Sequence, residues 1–334
     1  MPSDKTLERP RQAGAFTTSK RRLTADVVVP TFHRPADLDR CLAALQTQTR
    51  APERIIVVVR PDDDESLEVL NRHNGDLVQA VVVNDRRVLA AMDAGVSASQ
   101  AEVIAFTDDD ARPRPDWLAG LLHHLSNPGV GGAGGRDIIP GKQGPRVATV
   151  GRFTFYGRLV GNHNRGVGPA REVDVLKGVN MAFRRSALAL PRPDALRGAS
   201  AQNWEIMVSQ WARSSGWRLI YDPGVTVDHG SAPRPGADRW QPPAREVLNQ
   251  AYNQLLGSAL AGPAEAFGRA AYSLMVGYRA EPGLVRAALG IAWLQKEVLR
   301  RTVPALCGKL LAIKTILSTH KPDRSVKTGV RHWV

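Results

Sequence analysis

The sequence predicts an α/β fold: a mostly parallel sheet flanked by helices, with a helical, basic extension behind it. Three observations carry this. From residue 25 to residue 106, short β-branched runs alternate with segments of helical spacing, the pattern of βαβ units. Two of those runs end in acidic clusters, Asp62 to Asp64 and Asp108 to Asp110, and in open sheets ligands bind beyond the carboxyl ends of the strands. After the prolines of residues 233–243 the strand pattern stops, and apolar residues recur at helical spacing to residue 317.

Residues 26–30 form the first expected strand, followed by a Thr31–Pro35 loop. A helix follows over 37–48, with Leu38, Cys41, Leu42 and Leu45 on one face. Residues 55–59 are a second strand, ending at Arg60-Pro61 and three aspartates. A helix over 66–73, a strand over 78–83 and a helix over 88–99 come next. The run 103–106 then delivers Asp108, Asp109 and Asp110 and stops at Arg112-Pro113-Arg114-Pro115. A helix over 117–125 precedes Gly129 to Gly135. That stretch lacks both the strand–GxGxxG–helix context and a Walker lysine, so it reads as a turn and a small-residue strand. Residues 177–183 form a loop entering a strand, 205–214 a helix, and 217–221 and 225–227 strands that lead to Asp228-His229. Residues 247–260, 264–276 and 284–317 are helical, the last interrupted at Pro304.

Acids packed at a strand end repel one another and call for a cation. Mg²⁺ and Mn²⁺ take oxygen ligands and share them with phosphate. A solvated acidic turn before the helix at Trp117 is the plain alternative for Asp108–Asp110. Two cysteines, Cys41 and Cys307, lie far apart without metal-ligand spacing, which points to a reducing, cytoplasmic setting. Residues 1–22 are polar and basic, without the apolar stretch of a signal peptide, and read as a disordered arm. The net charge of +13 calls for an anionic partner: nucleic acid, an anionic membrane or a phosphorylated substrate. No recognition helix, zinc pattern or ribonucleoprotein motif is present, so no specific nucleic acid is expected.

Four ordered segments resemble the family 2 glycosyltransferases: Val28 to Arg34; Phe106 to Asp110 with Trp117 and Leu118 behind it; Gly178 to Arg185; and Glu205 through Gly216 to His229. The resemblance spans residues 25–230. It implies a Rossmann-like GT-A catalytic domain over 23–232, a basic helical region over 233–334, and metal-dependent, inverting transfer from a nucleotide-diphosphate sugar of UDP or GDP type. It also assigns residues. Pro30, Thr31, Arg34, Asp108 and Asp109 would bind the nucleotide, and Asp110 would hold Mn²⁺ or Mg²⁺; outside the family's pattern, Arg60 and Asp62 at the second strand's end and Arg87, a cation for the diphosphate, are further nucleotide-binding candidates. His229 would be a further metal ligand, or else a strand-end histidine bonded to a backbone carbonyl. Gly178, Asn180 and Trp204 would meet the donor sugar or acceptor.

Glu205 stands eleven residues before Gly216, where relatives carry an aspartate that deprotonates the acceptor, and Trp204 replaces its acidic neighbour. Glu205 is the expected base; the bland reading is a helix N-terminal acid. Arg60-Pro61 stands where relatives place an acid against the nucleobase, which leaves the base open. His163, Asn164 and Trp240 are further residues for an acceptor cleft.

Residues 241–334 hold 13 Lys and Arg against 5 Asp and Glu. Arg286, Lys296, Arg300, Arg301, Lys309 and Lys314 make the last helical stretch a basic amphipathic surface. It would attach to an anionic membrane, or pack its apolar stripe on the catalytic domain. A glycan or a lipid-linked molecule is the expected acceptor. Two other readings stand beside this one: nucleotidyl transfer on a related sheet, although Pro30 to Arg34 is not a glycine- and lysine-rich phosphate loop, and a non-enzymatic basic module binding membrane or nucleic acid.

Overall fold

In the computed structural model, residues 22–73, 75–141, 144–230, 242–260, 263–318 and 331–333 are described. The expected basic arm, most of the proline-rich linker and Trp240 lie outside them. The strands of the first half alternate faces. In β1 (Ala25–Pro30), Val27 and Val29 point to one core and Val28 to the other, the period of two a central strand requires.

Helix α1 (Pro35–Gln46) leads to β2 (Arg54–Val59), α2 (Asp64–Arg72), β3 (Val78–Val82), α3 (Val88–Ala98) and β4 (Val103–Phe106). Asp63 caps α2 by accepting from the Ser66 amide at 3.2 Å. These four strands pair in parallel in the order β3-β2-β1-β4. The second half is mixed. β5 (Ala111–Pro113), α4 (Trp117–Leu125), β6 (Val130–Ile138), the hairpin β7 (Arg152–Phe153) and β8 (Leu159–Val160), β9 (Arg171–Val173) and β10 (Met181–Arg184) follow. β10 runs antiparallel between β4 and β6. Then come β11 (Ala189–Pro191), α5 (Trp204–Ser214) and β12 (Arg218–His229), which lies parallel to β6 and antiparallel to β5 and β9. The two strands expected at 217–221 and 225–227 are one strand, irregular between Asp222 and Thr226.

The glycine run is the close-packed strand β6. A Cβ on Gly135 would collide with the Val225 carbonyl where β12 bulges, so only glycine fits there. One apolar core packs α1, α2 and α4 on one face of the sheet. The other packs α3 and α5 with Tyr252, Leu255, Leu256 and Ala312 on the opposite face. Three of those residues come from α6 (Ala244–Ser258). It is followed by α7 (Pro263–Met275), α8 (Leu284–Ala292), α9 (Lys296–Ser318) and β13 (Arg331–Trp333), which pairs with β11. The C-terminal helices therefore share a core with the sheet.

Two expectations about those helices change. The break falls at Trp293–Gln295, with Leu294 at φ 50°, whereas Pro304 sits inside α9. Gly290 and Val298 explain the corner: a Cβ on Gly290 would press into Val298, so the missing side chain lets α8 fold back on α9. Lys309 does not belong to a basic surface. It is fully buried and donates to the carbonyls of Ser273, Glu281 and Pro282 at 2.7, 2.9 and 3.0 Å.

Candidate active site

Strands β1, β2 and β4 end side by side because they are parallel neighbours, and their loops enclose a cavity of about 660 Å³. Pro30, Thr31, Arg34, Arg60, Asp62, Arg87, Asp108, Asp109, Asp110 and His229 all line it. Every residue expected to hold the nucleotide or the metal therefore meets in one place, drawn from positions up to 199 residues apart.

The antiparallel pairing of β12 with β5 sets His229 opposite Ala111, directly behind the acidic turn. His229 Nε2 is 3.3 Å from Asp110 Oδ1 and 3.9 Å from Asp108 Oδ2. One donor atom from each of Asp108, Asp110 and His229 lies within 4.8 Å of the others. This converging N and two O set fits a divalent ion, and the nitrogen suits Mn²⁺ better than Mg²⁺. The alternative of a backbone-bonded histidine is not realised. Burial opposes the imidazolium, but Asp110, Asp137 and Asp108 outweigh it and push His229 up to about 9. The same carboxylates that raise a proton affinity would bind a metal ion in its place.

Asp109 is not part of this trio. It is buried and accepts from Thr31 Oγ1 and Arg34 Nη1, both at 2.9 Å, while burial pushes its carboxyl up to about 6. Its carboxylate fixes the β1 loop against the acidic turn, which places Arg34 Nη1 3.6 Å from Asp110. Each Asp109 oxygen holds one protein donor, so the carboxylate positions the β1 loop and Arg34 at the cavity that it also lines. Arg87 is held by Asp85 through its Nε at 2.9 and 3.0 Å. The Arg60 guanidinium lies 4.1 Å above the exposed Phe32 ring and pairs with Asp62.

Three residues expected to meet the donor sugar or the acceptor, Asn180, Trp204 and His163, are buried. Asn180 is fully buried; its amide donates to the carbonyls of Arg136 and Val225 at 3.2 and 3.0 Å and accepts from Trp117 Nε1 at 2.8 Å. That set of bonds staples β10, β6, β12 and α4, and leaves nothing for a sugar. Trp204 is buried edge-on against Phe106, centroids 5.7 Å apart, so it is a core residue rather than a stacking platform. His163 is buried with Nε2 2.8 Å from the Val175 carbonyl, and burial lowers it to about 4. A neutral, carbonyl-bound histidine does not line an acceptor cleft. Gly178 packs its backbone against the Trp204 indole, and Glu205 follows in the first turn of α5. Gly178 and Glu205 are not among the residues lining the cavity, whereas Ala199 and Ser200, just before α5, are.

Two residues escaped sequence reasoning. Asp137, fully buried at the end of β6, sets Oδ2 3.7 Å from His229 Nδ1 and pairs with Lys177 Nζ. Burial opposes its ionisation, yet His229 and Lys177 hold the carboxyl well below the usual range. Lys177 immediately precedes Gly178, so Asp137 joins the metal-facing histidine to the loop touching α5. An acid closing a glycine strand was the available signal.

Residues 26–189 match glycosyl transferase family 2. They form a family 2 glycosyltransferase domain. Validoxylamine A glucosyltransferase of Streptomyces hygroscopicus subsp. limoneus is 34% identical over 107 residues, 30% of this chain and 24% of that protein; the match thus spans about a quarter of that relative. Glucosyl-dolichyl phosphate glucuronosyltransferase of Haloferax volcanii is 29% identical over 172 residues, 49% of this chain and 53% of its own. Among solved structures, the mannosyltransferase PcManGT of Pyrobaculum calidifontis, in complex with GDP-Man and Mn²⁺, aligns with a TM-score of 0.50 at 18% identity. That alignment covers 90% of this chain and 89% of that one, and shows the GT-A fold. Among the described residues no helix is long and apolar enough to cross a membrane.

Proposed function

We propose that this protein is a metal-dependent, inverting glycosyltransferase. It moves a sugar from a UDP- or GDP-type donor to a hydroxyl of a glycan or lipid-linked acceptor. The observation that carries this is the single cavity in which Arg34, Asp108, Asp110 and His229 meet at the strand ends. Asp108, Asp110 and His229 would hold Mn²⁺ or Mg²⁺, and the ion would neutralise charge on the departing diphosphate as a Lewis acid. Arg34, kept in place by Asp109, adds a fixed cation beside the same oxygens.

In the transfer, the acceptor oxygen bonds to the anomeric carbon while the carbon–oxygen bond to the diphosphate breaks. That electron pair leaves with the nucleoside diphosphate, and the acceptor proton passes to Glu205. Glu205 suits the role by its place in the first turn of α5, next in sequence to Trp204, which packs on Gly178, and five residues after the cavity-lining Ser200. The relative that bears glucosyl-dolichyl phosphate in its name supports a lipid-linked acceptor.

Release of nucleoside diphosphate from UDP- and GDP-sugars with Mn²⁺ tests this reading. Asp110→Asn is expected to lower turnover by about a hundredfold or more, the scale of losing one charged transition-state contact. Glu205→Gln is expected to lower kcat with donor KM unchanged. Turnover unchanged in both variants rejects the assigned roles.

A further inference from the structure

The sequence from Leu284 to Gln295 carries one charged residue, Arg286. In α8 and its corner Leu284, Val285, Leu289, Ile291, Trp293 and Leu294 are all exposed, the last two at 73% and 82%. Burial of such residues normally drives helix formation, so this helix presents outward the face a helix usually hides. The corner is unusual for a second reason. Leu294 holds φ 50°, a conformation that favours glycine after a helix, yet the position keeps a large apolar side chain in solvent.

A second exposed element lies beside it. Phe155, at the tip of the β7–β8 hairpin, is fully exposed. Its neighbour Tyr156 stacks on Tyr272 of α7 at 5.4 Å, and Tyr272 meets Tyr278 at 5.8 Å. The Leu159 amide donates to the Tyr278 hydroxyl at 2.7 Å, tying the hairpin to the turn that leads into α8. Burial raises the Tyr272 hydroxyl, and Arg158 of the hairpin and Arg286 of α8 both oppose that rise.

We propose that α8, the Trp293-Leu294 corner and the Phe155 hairpin tip form a docking surface for an anionic lipid bilayer. Apolar and aromatic side chains would enter the headgroup boundary, with Arg158, Arg286, Lys296 and Arg300 around them. Nine helical residues are too few to span a bilayer, so the attachment is monotopic. Charge selects this occupant. A second copy carries the same +13, and residues 1–21, 231–241 and 319–330 are each net basic; none complements a basic rim as anionic lipid does. The surface stands independently of sugar transfer, which nucleotide binding by the vesicle-free protein tests separately.

Sedimentation of the full chain with phosphatidylcholine vesicles, with and without phosphatidylglycerol, tests the proposal. Binding is expected only with the anionic lipid and is expected to weaken as salt rises. Leu294→Gly suits the backbone, so its thermal midpoint is expected to hold or rise while vesicle partitioning falls. Combined with Trp293→Ser, the loss is expected to reach about tenfold; Phe155→Ser lowers partitioning on a folded chain. No binding to anionic vesicles, or equal binding by these variants, overturns the proposal. A concentration-dependent dimer dispersed by Trp293→Ser also overturns it, in favour of a second copy.

Discussion

At the C-terminal edge of the sheet, Asp108, Asp110 and Asp137 gather around His229, with Lys177 and Arg34 at the margins. Among the C-terminal helices, one buried carboxylate, Glu281, faces one buried ammonium, Lys309, whose three protons go to three backbone carbonyls. The first cluster gathers its carboxylates at a cavity and raises the proton affinity of its histidine. The second is closed off from solvent, and burial drives both members toward neutrality, raising Glu281 and lowering Lys309 against the pull of their opposite charges. Crowded carboxylates facing a cavity make a site that takes up a cation. Balanced charge away from solvent makes a structural joint, which in this protein fastens α9 to the α7–α8 turn.

The sharpest way to break that contrast is at Lys309. Lys309→Met removes the ammonium and leaves Glu281 and three carbonyls buried without it. The expected loss is about 3–5 kcal/mol, the scale for stranding one member of a buried pair, read as a fall in denaturant midpoint. Glu281 titrates higher in the folded than in the unfolded chain, so ionising it opposes folding. Lys309 holds the Glu281 value down, so in the variant it rises further, and the stability lost as pH climbs from about 4.5 should extend higher than in the parent chain. Glu281→Gln in the same chain should recover part of the loss. Nucleotide binding at low temperature should be unaffected; if it fails with the stability, the joint and the site are one unit and the comparison collapses.

Asp137 tests the other cluster. Asp137→Asn keeps the shape but weakens the hold on His229 Nδ1 and on Lys177. Outer partners of metal-bound histidines typically contribute about 10–100-fold to metal affinity, and a loss of that size in Mn²⁺ titration is expected here. Unchanged affinity would place Asp137 with the structural joints.

These two clusters were unequally legible in the sequence. Ten of the residues lining the cavity were readable because parallel strands bring their carboxyl ends together, so acids and prolines after β-branched runs must converge. The alternation of Val27, Val28 and Val29 likewise announced a strand buried on both faces. Asn180, Trp204 and Lys309 were misread for one reason: local pattern marks a polar or aromatic residue as functional, whereas the groups that bond or pack against it come from distant segments. Asn180 is satisfied by Trp117, Arg136 and Val225, none of them near it in sequence. Lys309 looked like one of six surface cations until the carbonyls 27 to 36 residues upstream claimed it. The helix break was misplaced because proline was weighed above the small residue, Gly290, that allows two helices to touch.

Two histidines complete the contrast inside the catalytic domain itself. His229 and His163 both feel Asp137, yet one is pushed up to about 9 and the other down to about 4. The difference is what each ring meets: His229 faces three carboxylates, whereas His163 gives Nε2 to a carbonyl in a fully buried setting beside the Lys177 charge. His163 therefore stays neutral when folded, while the unfolded chain takes up its proton near pH 6.5. The unfolded state binds more protons between those two values, so this contribution is intact above the upper one and is lost as pH falls through the window. By about pH 5 the expected loss is roughly 1–2 kcal/mol at 1.36 kcal/mol per pH unit, measured as the denaturant midpoint against pH. His163→Gln, which can still donate to the Val175 carbonyl, should flatten that dependence and leave Mn²⁺ affinity as it was. A pH profile unchanged by the substitution would assign the acid sensitivity to the carboxylates around His229 instead.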